Sequence, residues 1–244
     1  MSPSLEPPEA VLTRGLAALT FSDVSRIVDR LMAYGALLLQ ANRSTNLIGA
    51  ADIHKVVVHH FLDSLAPFSQ HRFRPPIIDL GSGAGLPGIP VAIAFPRAPI
   101  TLMEPRRLRA DFLESTVRSL GLENVEVVRS AAESAGRSES RRERAGTVLA
   151  RAVGKPAVTL ELGLPLLKRA GSMWLYQGRD ARPSQDTLDV ASLLGGALVS
   201  AQSIAVPGLD AERHLWVFRK VRPTPDGYPR RSRSAYRIPV ETVK

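Results

Sequence analysis

Apolar residues recur at helical spacing in the first third of the chain. Ser22 can cap the start of one helix, because its hydroxyl can accept a hydrogen bond from the first turn. The apolar positions that follow share one helical face: Val24, Ile27, Val28, Leu31, Met32, Leu38 and Leu39. Residues 42–47 are polar and turn-like, and a second helix is predicted over Ile53–Leu65. We therefore expect a helical extension over residues 21–74, preceded by a disordered tail at residues 1–20.

After Pro75 the pattern changes, because short apolar runs alternate with amphipathic stretches. The runs are Ile77–Leu80, Ile100–Met103, Val125–Val128, Thr147–Ala150, Met173–Tyr176 and Leu215–Phe218. A helix is predicted at Leu108–Leu120, ending at Gly121. Alternating strands and helices indicate parallel strands joined by crossover helices, and hence a doubly wound α/β domain over residues 75–221. A basic, proline-broken tail is expected over residues 222–244.

The first of these strands runs into a glycine-rich turn, Asp79-Leu80-Gly81-Ser82-Gly83-Ala84-Gly85, and a helix is predicted to begin near Leu86. Glycines at alternate positions let the backbone turn sharply and approach a ligand closely. The dinucleotide-binding spacing is G-x-G-x-x-G, with a pyrophosphate at the helix N-terminus. The tighter G-x-G-x-G spacing found here, preceded by an aspartate, resembles motif I of the class I methyltransferases, where S-adenosylmethionine lies across the turn. Gly81, Gly83, Gly85 and Leu86 are therefore predicted to shape the cofactor site.

Two further elements follow in the order that a nucleotide cofactor requires. Glu104 ends the second strand, where an acidic residue can accept hydrogen bonds from ribose hydroxyls. Ala132 and Glu133 follow the third strand, the position that flanks the adenine in methyltransferases. Their order along the chain favours a nucleoside cofactor over an isolated glycine turn.

Composition restricts the chemistry and suggests a partner. Cysteine is absent, which excludes disulfides, thiolate-held metal clusters and cytosine C5 methylation through a cysteine nucleophile. The five histidines show no zinc-ligand spacing, so no metal is expected. The net charge of +9 and the pI of about 10.6 favour a polyanionic partner. No apolar run is long enough for a membrane span and no secretory signal is evident, so a cytoplasmic protein is expected.

The fourth strand bears on the type of methyl transfer. It is followed by Arg151-Ala152-Val153-Gly154, without the [N/D]-P-P-[Y/F] motif that is common in enzymes that methylate exocyclic amines. Guanine N7 needs neither that motif nor a cysteine, because its lone pair lies in the ring plane and carries no proton. Alignment of N7 with the methyl donor is then enough, and no general base is required.

Several motifs together resemble the bacterial 16S ribosomal RNA guanine-N7 methyltransferases, also called glucose-inhibited division protein B. They are Asn46-Leu47-Ile48-Gly49, His60-Phe61-Leu62-Asp63-Ser64-Leu65, the turn from Asp79 to Pro90, Glu104-Pro105 with Arg109 and Phe112-Leu113, Ala150-Arg151-Ala152-Val153, Glu212-Arg213-His214-Leu215 and Tyr228-Pro229-Arg230-Arg231. They span most of the chain.

The resemblance implies a class I methyltransferase (Rossmann-like) fold, with a seven-stranded, mostly parallel sheet and a helical N-terminal extension. It implies S-adenosylmethionine-dependent methylation of a guanine near the decoding site of 16S rRNA, in the small ribosomal subunit or an assembly intermediate. Candidate catalytic residues are Arg151, His60 and Asp63. The candidate cofactor residues are Gly81, Gly83, Gly85, Leu86, Glu104, Ala132, Glu133 and Arg151. The candidate RNA contacts are Asn46, Arg109, Arg213, Arg230 and Arg231.

Two departures from the family pattern leave alternatives open. Gln177 stands where relatives usually have a lysine, and Leu108 where they usually have a basic residue. The alternatives are a class I methyltransferase with another substrate and a cofactor-binding RNA module without turnover. A nicotinamide enzyme is disfavoured by the glycine spacing. We expect a monomer.

Overall fold

The computed structural model describes residues 6–49, 52–178, 180 and 182–231, and it contains one seven-stranded sheet flanked by helices. The strands are β1 (Ile77–Leu80), β2 (Ile100–Met103), β3 (Val125–Val128), β4 (Ala145–Arg151), β5 (Leu167–Gln177), β6 (Gly196–Ser203) and β7 (His214–Lys220). The helices are α1 (Pro8–Ala18), α2 (Val24–Thr45), α3 (Ile53–Val56), α4 (Asp63–Leu65), α5 (Gly88–Ala94), α6 (Arg107–Ser119), α7 (Ala132–Ala135), α8 (Pro156–Gly163) and α9 (Gln185–Leu193).

The strand order is β3-β2-β1-β4-β5-β7-β6. β7 pairs antiparallel with β5 and β6, and the other neighbouring strands among the described residues pair parallel. This confirms the expected seven-stranded, mostly parallel α/β fold. β1 lies between β2 and β4, with Asp79 in register with Leu102 on one side and Leu149 on the other. The strand order reverses at this point, and ligands of open α/β sheets bind in the crevice at the carboxyl ends of such strands.

The predicted strand positions are confirmed, with longer strands in the second half of the sheet. The first three runs have the predicted bounds, because each is a short, apolar strand between turns. β6 was not predicted, since this edge strand, GALVSAQS, has an apolar run of only three residues, Ala197–Val199, and its positions are mostly partly buried or exposed.

The prediction of a disordered tail over residues 1–20 is wrong for its second half. Residues 8–18 form α1, and Leu12 and Leu16 of that helix are fully buried. Gly15 packs so closely on the extension that an added Cβ would lie 2.5 Å from Leu62 Cδ1. Only residues 1–5 lie outside the described part of this region.

The start of the next helix also differs from the prediction. α2 begins at Val24, and its N-cap is Asp23, not Ser22. No side chain caps this end, and Asp23 adopts a left-handed conformation with φ 56°. The side chain of Asp23 instead pairs with Arg26.

The predicted helix over Ile53–Leu65 is confirmed as one continuous helical stretch, whose central turn is a π-helix. Residues Val57–Leu62 form a π-helical turn between α3 and α4. Such turns often occur at functional sites, because the extra residue in the turn changes the direction of the side chains that follow. His60 and Asp63 lie within and just after this turn.

The predicted C-terminal tail also begins too early. Thr224, Tyr228 and Arg230 are buried against the domain, so residues 222–231 belong to the folded structure. The rest of the predicted tail, with Arg233 and Arg237, lies outside the described residues. In the part that is described, no helix has the length and apolar character needed to cross a membrane.

The burial of α1 leads to a test of its role. Leu16→Ala should lower the free energy of unfolding by about 2–5 kcal/mol, because it removes buried methyl groups and leaves a cavity. Ala17→Ser, on the exposed face of the same helix, should change it by less than about 0.5 kcal/mol. Urea denaturation of both variants measures the difference. Equal stabilities would show that α1 contributes nothing to the core.

Candidate active site

The glycine turn connects β1 to α5 and needs backbone conformations that glycine adopts without strain. Gly81, Gly83 and Gly85 have φ values of 69°, 58° and 93°. A Cβ on Gly85 would overlap Ile89 and would lie 3.1 Å from Leu113. The helix begins at Gly88, two residues later than predicted. The turn therefore requires glycine both for its conformation and for close packing.

Asp79 braces this turn from below. It is buried, and its Oδ2 accepts a hydrogen bond from Gly88 N at 3.0 Å. Its Oδ1 has no hydrogen-bond partner within the described residues. Burial raises the pKa of Asp79 to about 7, although the hydrogen bond from Gly88 opposes this shift.

Glu104 joins the turn to the end of β2. Its carboxylate accepts hydrogen bonds from Gly83 N at Oε2 and from Arg106 N at Oε1, each at 2.9 Å. Glu104 is 3% exposed. Two backbone donors thus orient this carboxylate at the carboxyl end of the strand, where the sequence predicted a ribose contact.

A cavity of about 380 Å³ opens beside the turn. Four of the predicted cofactor residues line it: Gly81, Glu104, Ala132 and Glu133. The other predicted residues are not among its lining residues. Gly83 and Gly85 shape the turn, Leu86 packs against the core, and Arg151 immediately precedes the lining residues Ala152 and Val153.

Sequence reasoning missed part of the wall. Met103, Val158 and Leu162 also line the cavity. Met103 ends β2, and its position at a strand terminus could have indicated that it lines the ligand site. Val158 and Leu162 lie on α8, a helix that the sequence analysis did not predict.

The three predicted catalytic residues lie together at the end of β4. The Asp63 side chain is 5% exposed, and its Oδ2 lies 3.3 Å from Nη2 of Arg151. Nη2 of Arg151 also lies 3.0 Å from Nδ1 of His60, and Nη1 lies 3.3 Å from the Ser64 hydroxyl. Arg213, a predicted RNA contact, joins this group by donating from Nε to Asp63 Oδ1 at 2.9 Å.

His60 is electrically neutral in this group. Burial and the nearby charge of Arg151 lower the pKa of His60 to about 4. Because a guanidinium only donates hydrogen bonds, Nδ1 of His60 is the acceptor from Arg151 and the ring proton lies on Nε2. His60 therefore stays uncharged throughout the physiological pH range.

The remaining predicted RNA residues occupy different places. Arg109 is partly buried and lines the cavity beside the glycine turn. Asn46 is exposed and ends α2 in a left-handed conformation with φ 46°. Arg231 is exposed.

Arg230, also a predicted RNA contact, is buried in the structure and pairs with a carboxylate of the protein. Arg230 is 9% exposed, and its Nη2 donates to Oε2 of the buried Glu161 at 2.6 Å. A guanidinium that is held by a buried carboxylate neutralises that charge inside the protein. The sequence showed two adjacent arginines but not that a carboxylate lies 69 residues earlier in the chain beside only one of them.

The raised pKa of Asp79 predicts a specific pH dependence of stability. The folded state holds this proton more tightly than the unfolded chain, so the contribution of Asp79 to stability decreases as pH rises from about 4 towards 7. Asp79→Asn cannot titrate. Its stability relative to the wild type should therefore rise by about 1 kcal/mol per pH unit across the upper part of this window.

Urea denaturation of the ligand-free proteins at several pH values measures this effect. Ala17→Ser, at an exposed position on α1, changes no titratable group, so it is the control and should show a constant difference from the wild type. A constant difference for Asp79→Asn as well would show that this carboxyl titrates normally.

Comparisons with known proteins identify the family. The model of the GidB family, described as rRNA small subunit methyltransferase G, matches residues 27–215. A protein of Alkaliphilus metalliredigens named ribosomal RNA small subunit methyltransferase G is 33% identical over 234 residues, which cover 95% of this chain and 98% of that protein. The protein of the same name from Listeria welshimeri is 32% identical over 211 residues, covering 85% and 89%.

Among solved structures, a 16S rRNA (adenine(1408)-N(1))-methyltransferase from Catenulisporales acidiphilia aligns with a TM-score of 0.49 and 18% identity, over 61% of this chain and 86% of that one. The family match and the identities to full-length relatives show that this chain belongs to the GidB family, the rRNA small subunit methyltransferase G proteins.

Proposed function

We propose that this protein transfers a methyl group from S-adenosylmethionine to N7 of a guanine in 16S rRNA, near the decoding site. The observation that carries the proposal is the cavity at the strand-order reversal. It lies between the glycine turn and the Glu104 carboxylate, in a chain of the GidB family. The proposed substrate is the small ribosomal subunit or an assembly intermediate, so the enzyme is proposed to act in the cytoplasm. We also propose that it acts as a monomer.

The residues around the cavity fit this cofactor. Its volume of about 380 Å³ is within the usual range for small-molecule sites. The backbone at Gly81 can approach a ligand closely, because this lining residue has no side chain. An added Cβ there would lie 3.3 Å from Val153 Cγ2, which also lines the cavity. Glu104 would bind the ribose hydroxyls with the acceptor capacity that its two backbone donors leave. Met103, Ala132 and Leu162 would provide apolar surface for the adenine.

The reaction needs alignment more than acid–base catalysis. When bound, S-adenosylmethionine supplies an electrophilic methyl group attached to a sulfonium. In the proposed transfer, the N7–C bond would form as the C–S bond breaks, and the electron pair of that bond would remain on sulfur. Since no proton leaves N7, the protein needs to orient the base and exclude water.

The group at the end of β4 is suited to orientation. We assign Asp63 as a positioning residue, because both of its oxygens are paired with arginines, Arg213 at 2.9 Å and Arg151 at 3.3 Å. One buried carboxylate thus holds two positive side chains side by side, where an RNA phosphate or a guanine acceptor atom can meet them. His60 contributes a hydrogen-bond acceptor to Arg151 and exchanges no proton.

Exposed polar residues extend the proposed RNA surface. Asn46 and Arg231 are exposed, and Arg109 lines the cavity, where its Nη1 would lie 3.7 Å from a Cβ added at Gly83. A basic chain binds RNA partly through counterion release, so this binding should weaken as salt is raised.

The direct test is methyl transfer with radiolabelled S-adenosylmethionine and small ribosomal subunits from a strain that lacks the enzyme. We expect label in 16S rRNA, recovered as N7-methylguanine after digestion. Label on a different base or on a protein would replace the proposed substrate. Cofactor binding without any transfer would favour an RNA-binding module without turnover, as the departures at Gln177 and Leu108 allow.

Glu104 provides a residue-level test of the cofactor site. Glu104→Ala should weaken S-adenosylmethionine binding by at least roughly tenfold, or about 1.4 kcal/mol, because it removes the carboxylate and loosens the turn that this carboxylate holds. Isothermal titration calorimetry measures the affinity. Glu114→Ala, at an exposed position on α6, is the control and should bind like the wild type. Unchanged affinity in Glu104→Ala would remove this residue from the site.

A further inference from the structure

We propose that residues 224–230, here called the C-terminal brace, are a positioning element of the cofactor cavity. The brace is hydrogen-bonded to α8 and to Arg137, which follows the C-terminal end of α7, and both of these short helices contribute residues to the cavity wall. The identity of the ligand rests on the function proposed above. The role of the brace rests on contacts that do not involve the ligand.

The first contact fastens the brace to α8. Glu161 of α8 is fully buried, and its Oε1 accepts hydrogen bonds from Arg230 N at 2.8 Å and from Arg230 Nε at 2.9 Å. Arg230 Nη2 donates to Oε2 at 2.6 Å. Removing one partner of such a pair leaves an uncompensated buried charge, so the two side chains hold each other firmly. The next residue of α8, Leu162, lines the cavity.

The second contact fastens the brace to α7. Gly136, at the end of this helix, lies so near Pro229 that an added Cβ would be 2.9 Å from Pro229 Cγ. Arg137 donates from Nε to Pro229 O and from Nη2 to Gly227 O, each at 2.7 Å. α7 has only four residues, among them Ala132 and Glu133 of the cavity wall. So short a helix has little stability of its own, and these contacts help to hold it in place.

In a third contact, Arg142 joins two positions of the brace to the residue that follows α7. Arg142 donates to Gly136 O and Tyr228 O at 2.8 Å and to Thr224 O at 2.7 Å. The Tyr228 side chain is buried in the same apolar cluster as Ala132 and Leu162, which are two of the residues that line the cavity from the two helices. Tyr228 thus belongs to the apolar core that both walls share.

These contacts assign different roles to the two adjacent arginines. The guanidinium of Arg230 is committed to Glu161, with its side chain 10% exposed, whereas Arg231 is exposed at the surface. The brace therefore acts on the cofactor through α7 and α8, and Arg230 is a positioning residue. Loss of its contacts should let the cavity walls move apart, which weakens cofactor binding while the RNA surface stays intact.

The pair Arg230→Ala and Arg231→Ala separates the two roles in the full-length protein. Calorimetry with S-adenosylhomocysteine measures the cofactor site, and filter binding of small ribosomal subunits measures the RNA surface. Arg230→Ala should weaken cofactor binding roughly tenfold and change subunit binding less than about twofold. Arg231→Ala, the matched control, should bind cofactor like the wild type. Wild-type cofactor affinity in a folded Arg230→Ala variant would overturn the proposal.

Arg137→Ala covers the case in which Arg230→Ala fails to fold. Arg137 is partly exposed, and its loss leaves no buried carboxylate unpaired, so a folded protein with several-fold weaker cofactor binding is expected. Amide hydrogen exchange of the ligand-free protein gives a second readout. Exchange over residues 131–137 should be faster in Arg137→Ala than in the wild type, and an unchanged rate together with unchanged affinity would refute the brace.

The same measurements distinguish the proposal from the function on which it rests. A wild-type protein that binds no S-adenosylhomocysteine would refute the cofactor assignment. The exchange rates of α7 would still decide whether the brace holds the helix.

Discussion

The whole site depends on the position of β1 between β2 and β4. Parallel pairing on both sides brings the carboxyl ends of these strands to one edge of the sheet. After β1 the chain continues to β2 on one side, and after β4 it continues to β5 on the other side. The crevice that results contains the glycine turn after β1, Glu104 after β2, and Ala152 and Val153 after β4. Residues that are far apart in the sequence share one cavity because three strands end together.

Buried carboxylates organise what lies around this crevice. Asp63 pairs with Arg151 and Arg213, and Glu161 pairs with Arg230. In each case a charge that would be costly to bury alone is compensated by guanidinium groups with several hydrogen bonds. Some of the arginines of the chain thus neutralise buried carboxylates within the fold. The net charge alone therefore overstates the number of arginines that can contact RNA.

The two carboxylates nevertheless serve different parts of the proposed enzyme. Asp63 holds its arginines at the end of β4, where their partly exposed side chains can meet a substrate. Glu161 holds Arg230 on α8, away from solvent and directly behind a wall of the cavity. The same kind of ion pair therefore presents positive charge to the substrate at Asp63 and holds the backbone of the C-terminal brace in place at Glu161.

The sequence by itself determined the central strands, the glycine turn and Glu104. These features are local, since a short apolar run, a left-handed turn and a polar strand end each leave a pattern within a few residues. It did not reveal α1, whose helical pattern follows prolines, or β6, an edge strand whose apolar run is only three residues long. Only the tertiary structure decided that Asp63 joins Arg151 to Arg213 and that Arg230 is buried while Arg231 is exposed. Such pairings join residues 69 to 150 positions apart, and no local pattern shows which arginine meets which carboxylate.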